Sequence, residues 1–331
     1  MSAPALPQEM APAPAAPKGL AARPWWPWLR KGLWAAFFTA LAVLLFNQAR
    51  TLNWDAVVAT MLALPVGVLL AAGGLAFASH LLYATFDLLG RKATGHKLPA
   101  PTVMLVTFIS YAFNLNMGSL IGGVASRYRL YGRLGLGELT ITRVMAFSML
   151  TNWLGYALLG GLAFLLFPLP LPTDWDISDM VLQIAGALLA LVAVGYVLAC
   201  AFSKRRSLHF RGHRVTLASG RMALLQLAMS CLNWSLMAGA VYVLLQQQVA
   251  YPTVLTVLLL AAVAGVVTHV PAGLGVLEAV FVALLGTQIA PATLIGTLLA
   301  YRVLYYLAPL AIAVVAFGVL EIRHKGKAQA T

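Results

Sequence analysis

Apolar residues in this chain fall into long uninterrupted runs, with neither the alternation of a strand nor the single apolar face of a surface helix. The runs cover residues 32–47, 62–89, 101–123, 140–167, 180–202, 222–246, 254–286 and 292–320. A helix needs about 20 residues to cross a hydrocarbon core of about 30 Å, so the pattern predicts an all-α polytopic membrane protein. Two runs are punctuated. The run 101–123 is interrupted at Asn114-Leu-Asn116-Met-Gly118-Ser119. The run 254–286 is interrupted at His269-Val-Pro271-Ala-Gly273-Leu-Gly275, and Glu278 follows. Proline removes a backbone donor and glycine disfavours helix, so a helix entering either stretch breaks, with a new one starting near Val276 in the second. Freed backbone groups at membrane depth must be satisfied by protein or by a water-lined cavity. The expectation is six transmembrane helices plus two re-entrant helical hairpins.

Charge supports that arrangement. The net charge of +13 suggests nucleic acid until the charges are placed; they fall between the apolar runs, where they orient the chain. If both punctuated runs fold back to the face they started from, all Lys and Arg except Arg50 and Arg302 share one face, and Asp55, Asp174, Asp176 and Asp179 lie on the other. That face is expected to be cytoplasmic and to hold both termini. Residues 1–31 read as a disordered tail ending in a basic, Trp-rich anchor, 32–322 as one membrane domain, and 323–331 as a second tail. The order span, span, hairpin, span occurs in 32–168 and again, inverted, in 178–322. An inverted repeat with a broken helix in each half is a design associated with transport around a midplane site.

Few residues in the runs can carry chemistry. Arg302 lies near the middle of the last run, where an unpaired guanidinium costs at least about 2.5–3.5 kcal/mol, so a partner is expected. Glu278 is the obvious one; both a helix clamp and a contact to lipid remain open for the pair. Arg143 occupies the matching position in the first half. Arg127, Arg129 and Arg133 follow the first hairpin as topology charges or as contacts to anionic headgroups, with Asp87 at a depth to pair with one of them. Asn114, Asn116 and Ser119 sit at the first hairpin tip, where they cap helix ends or meet a headgroup. His269 and His80 are hydrogen-bonded or titrating histidines. The half-helix ends at Met117–Gly118 and Val276 are expected to face a phosphate. No HExxH, GxSxG or P-loop is present, and Cys200 and Cys231 lack metal spacing. We therefore expect no enzyme activity, cofactor or metal, and phospholipids rather than nucleic acid as partners. A second copy or a lipid-synthesis enzyme remains open as a protein partner.

Several blocks together resemble the lysylphosphatidylglycerol synthase transmembrane-region family. They are Tyr111-Ala-Phe-Asn-Leu-Asn, Ser126-Arg-Tyr-Arg-Leu-Tyr-Gly-Arg, Thr151-Asn-Trp-Leu-Gly-Tyr, His269-Val-Pro-Ala-Gly-Leu-Gly-Val-Leu-Glu and Ala300-Tyr-Arg-Val-Leu-Tyr-Tyr. The closer likeness is to its stand-alone inner-membrane members. The resemblance implies a membrane domain that moves phospholipid, aminoacylated in the fused members, between leaflets. It also implies a lipid pathway near the Arg127–Arg129 block, the Pro271–Glu278 block and Arg302. The sequence to Thr331 contains no soluble synthase domain, so synthesis of the aminoacyl lipid is not expected. The alternative is a non-transporting scaffold that regulates a lipid-synthesis enzyme.

Overall fold

The computed structural model describes residues 53–167, 179–203, 207–210, 213–216, 218–268, 270 and 273–328. The first apolar run, the basic Trp-rich anchor, His269 and Pro271 lie outside the described residues. Helix α1 (Trp54–Leu62) is capped by Asn53, whose side chain accepts from the Ala56 amide. Pro65 then opens α2 (Val66–Ala84), which passes through Thr85 into α3 (Phe86–Thr94). Helix α4 (Ala100–Met117) starts on Pro99 and ends at Gly118. A π-helical segment (Ser119–Ala125), α5 (Ser126–Arg133), α6 (Glu138–Leu166) and α7 (Asp179–Phe202) follow. The second half contains α8 (Gly220–Leu244), α9 (Tyr251–Thr268), α10 (Val276–Leu285) and α11 (Pro291–Arg302). A second π-helical segment (Val303–Leu307) joins α11 to α12 (Ala308–Ala328).

Six helices among the described residues are long and apolar enough to cross a membrane: Val66–Thr94, Glu138–Leu166, Met180–Phe202, Gly220–Leu244, Tyr251–Thr268 and Pro291–Ile322. Five coincide with runs expected to cross. The other, Tyr251–Thr268, is the arm that the sequence reading assigned to the second hairpin. The chain also departs from all-helical structure outside these spans. Strands β1 (Ser207–Phe210) and β2 (His213–Thr216) pair antiparallel, with Ser207 opposite Thr216. Strand β1 alternates polar and apolar residues (Ser207, Leu208, His209, Phe210), a strand period too short to stand out in the sequence, whereas β2 does not alternate.

Both interruptions lie where sequence punctuation placed them. Gly118 takes φ +84°, a left-handed value that suits glycine, and the chain turns back on itself there. After the turn, the π-helical segment rests against the end of α4: a Cβ at Gly122 would lie 2.1 Å from the Phe113 carbonyl oxygen. Gly273 and Gly275 (φ +55° and +75°) precede α10, which packs against α9. Elsewhere glycine lets helices approach closely. Gly161 of α6 meets the Gly186 carbonyl of α7, and Gly155 meets Ser230 of α8. Lipid tails are as apolar as leucine, so such backbone-to-backbone packing holds membrane helices together better than greasy surface does.

Buried apolar side chains form two main clusters. One is built on α2, α8, α9, α10 and α11, the other on α4, α5 and α6 with Ala313 of α12. Leu188, Leu191 and Val192 on α7 are exposed, as a lipid-facing surface requires.

Candidate functional site

Arg302 is the last residue of α11, immediately before the π-helical segment, and is 7% exposed. Its guanidinium grips Glu278 with two nitrogens: Nε to one carboxylate oxygen, and Nη2 to the other at 3.0 Å. Nη2 also donates to the Gly273 carbonyl at 2.8 Å, and the Tyr306 ring lies 5.3 Å from the guanidinium carbon. One side chain therefore ties the last long helix to the glycine break and to the first turn of α10. That first turn is the positive end of α10, and Glu278 stands on it. The carboxylate therefore answers both the helix end and the arginine. The tip of the first interruption reaches the same cluster. Asn116 donates to the Ala112 carbonyl at 2.8 Å and to the Tyr306 carbonyl at 3.2 Å.

A second buried pair fastens the first interruption. Asp87 of α3 is fully buried, and Arg127 of α5 is 6% exposed. Arg127 donates from Nε at 3.0 Å and from Nη2 at 3.3 Å to the two oxygens of Asp87. Its Nη1 donates to the Gly123 carbonyl at 3.4 Å. The Tyr131 hydroxyl donates to the same carboxylate at 2.9 Å, and burial, aided by the carboxylate, raises its pKa. The two pairs share a plan: a forked arginine, one carboxylate, a glycine carbonyl of the interrupted segment, and an adjoining π-helical segment. Departures of this kind from α-helix are frequent at functional sites.

Between the pairs runs a buried polar chain. Ser79 Oγ donates to Asn233 Oδ1 at 2.8 Å and lies 2.6 Å from the Tyr305 hydroxyl. With its proton committed to Asn233, Ser79 accepts from Tyr305. The Tyr305 oxygen in turn accepts from Tyr111 at 3.1 Å. The chain links α2, α4, α8 and the second π-helical segment. Nearby, the Tyr301 hydroxyl is buried with no hydrogen-bond partner among the described residues, while its ring stacks on Tyr305.

The sequence-derived candidates divide accordingly. The structure brings together Arg302, Glu278, Gly273 and Asn116. Asn114 is half-buried, with its side-chain oxygen close against Gly123, and Ser119 is exposed at the turn. Gly275 provides the left-handed step that opens α10. Arg127 belongs to the Asp87 pair. Arg129 and Arg133 both reach Glu321 near the end of α12, and Arg129 also lies over the Phe317 ring. Arg143 is exposed near the start of α6 and does not join the Arg302 cluster. Tyr131, Tyr306, Ser79, Tyr305 and Asn233 were missed. Ser79 and Asn233 carried a usable signal, as polar residues inside apolar runs; the tyrosines carried none.

Interrupted helices fastened by buried charge pairs, within a set of membrane-length helices, define a polytopic integral membrane protein. Comparison with known proteins narrows this: the chain belongs to the lysylphosphatidylglycerol synthase TM region family, which it matches over residues 32–313. It is 44% identical over 303 residues to the "Inner membrane protein YbhN" of Escherichia coli (strain K12), covering 91% of this chain and 95% of that protein. It is also 30% identical over 275 residues to "Uncharacterized protein slr0712" of Synechocystis, covering 82% and 84% respectively.

Proposed function

We propose that this protein moves a phospholipid, anionic or aminoacylated, between the leaflets of a bacterial inner membrane. The observation that carries this reading is the convergence of the two interruptions. Asn116 at one break holds the Tyr306 carbonyl, while Arg302 beneath the Tyr306 ring holds Gly273 at the other. In this reading the two interrupted segments are re-entrant hairpins entering from opposite faces, related as halves of an inverted repeat, with both termini cytoplasmic. Rocking of one half against the other exposes the meeting point to each leaflet in turn. Arg302 is already neutralised by Glu278, so a headgroup phosphate engages it by exchanging with that carboxylate. Guanidinium suits the exchange, since its planar fork matches carboxylate and phosphate alike. The name of the Escherichia coli relative supports the inner-membrane placement.

One observation favours a second reading, a scaffold for a lipid-synthesis enzyme: both buried arginines are already paired with carboxylates, as simple helix clamps require. Reconstitution separates the two. In liposomes carrying leaflet-reporting fluorescent phosphatidylglycerol, the transport reading expects faster translocation than in protein-free vesicles. It also expects translocation to slow when Asn116→Leu removes the link between the breaks. A wild-type rate equal to that of empty vesicles, for phosphatidylglycerol and for its aminoacylated form alike, would rule out the transport reading and leave the scaffold.

A further inference from the structure

A groove of about 350 Å³ lies between α2 and α4, apart from the charge pairs. Phe77, Leu81 and Ala84 line it from α2, and Pro101, Met104 and Phe108 from α4, with His80 in its wall. Its volume is far above the ~10–15 Å³ that a site needs on this measure to hold a single water. Phe77 and Leu81 are exposed on a membrane-length helix, so what meets the groove there is lipid.

His80 fixes what kind of lipid. It is 3% exposed, and its Nδ1 lies 2.9 Å from the Ala76 carbonyl. A carbonyl can only accept, so Nδ1 carries the proton and Nε2 of the neutral ring presents a lone pair. Nε2 is buried with no partner among the described residues. Leaving a buried acceptor unsatisfied costs about 1–3 kcal/mol, and the rings of Phe108, Tyr111 and Tyr305 around His80 offer nothing in its place. The missing partner is a donor. It is also uncharged, because no carboxylate lines the groove to pair an ammonium and no cation lines it to pair a phosphate.

We propose that this groove is a binding site for a neutral lipid bearing a free hydroxyl, of the diacylglycerol type, whose O–H donates to His80 Nε2 while a chain fills the apolar channel. Nε2 has no exposed surface in this conformation, so binding includes a side-chain shift of His80 or Phe108 that uncovers it; changes of that size are common on complex formation. The site does not depend on the transport reading, since it uses neither Arg302 nor Arg127.

Photolabelling tests it. The full chain in nanodiscs is exposed to dioleoylglycerol carrying a diazirine on one acyl chain, and labelled peptides are located by mass spectrometry. Label is expected in 77–84 and 101–108. Unlabelled dioleoylglycerol is expected to compete about five- to tenfold better than its methyl ether, the worth of one hydrogen bond. His80→Leu should abolish that preference, and Ala84→Trp should abolish the labelling by filling the channel. Equal competition by the alcohol and its methyl ether on the wild-type protein would overturn the proposal, and that comparison needs no variant to fold. Competition by dioleoylphosphatidylglycerol as strong as by dioleoylglycerol, or labelling outside these segments, would overturn it equally.

Discussion

Replacing Asp87 by Ala is expected to lower the unfolding free energy in mixed micelles by about 3–5 kcal/mol, among the largest effects of any single substitution in the chain. The carboxylate is fully buried and serves two donors at once, the Arg127 fork and the Tyr131 hydroxyl. Its loss leaves a guanidinium in a low-dielectric interior without its carboxylate, with neutral groups such as the Gly123 carbonyl and the Tyr83 hydroxyl as its remaining partners. Two companion variants separate charge from contact. Tyr131→Phe removes one hydrogen bond to a charged group and should cost only about 1.5–3 kcal/mol. The pair Asp87→Leu with Arg127→Met removes both charges and should recover most of the loss, because apolar replacement of a whole buried pair is often neutral. A double variant as unstable as Asp87→Ala would show that the shape of the site, rather than its charge, holds the first interruption.

The second large effect is expected at Glu278. Glu278→Gln leaves Arg302 charged while retaining the Gly273 carbonyl and the Tyr306 ring. The predicted loss is about 3 kcal/mol, at the low end of the range for breaking one partner of a buried pair. Glu278 also stands in the first turn of α10, where a carboxylate gains about 0.3–1 kcal/mol from the helix end, and Gln forfeits that too. Arg302→Lys discriminates further. It retains the charge but loses the fork that reaches two carboxylate oxygens and the glycine carbonyl together, so it should be destabilising despite its unchanged charge. Chemical denaturation of the three proteins side by side checks the order: wild type above Arg302→Lys and Glu278→Gln. A wild-type stability in Arg302→Lys would mean that the fork contributes nothing.

What could be read in advance follows from how costly an error would be to the chain. Charge inside an apolar run cannot stand alone, so the pairing of Arg302 with Glu278 was legible from depth alone, and that of Asp87 with one of the following arginines nearly so. Helix breaks were legible at Gly118 and at Gly273–Gly275 because proline and glycine change the backbone itself. The tyrosine network was not. Tyr111, Tyr131, Tyr305 and Tyr306 fit an apolar run as well as phenylalanine does, and only the three-dimensional arrangement brings their hydroxyls together. The π-helical segments left no mark either, since one added residue per turn does not alter hydropathy. Arg143 shows where symmetry misleads. Its position matched that of Arg302 in the chain, but hydropathy records depth and not which side of a helix faces inward, and Arg143 is exposed.

Transport around a shared meeting point requires each interrupted segment to return to the face it left. Single cysteines in a Cys200→Ala/Cys231→Ala background, labelled with a membrane-impermeant thiol reagent in oriented vesicles, test that directly. Lys97 and Glu138 are exposed and flank the first interruption; Gln248 and Gln288 are exposed and flank the second. The prediction is that positions 97 and 138 label from one face, and 248 and 288 together from the opposite face. Label at 97 and 138 from different faces, or at 248 and 288 from different faces, would contradict it.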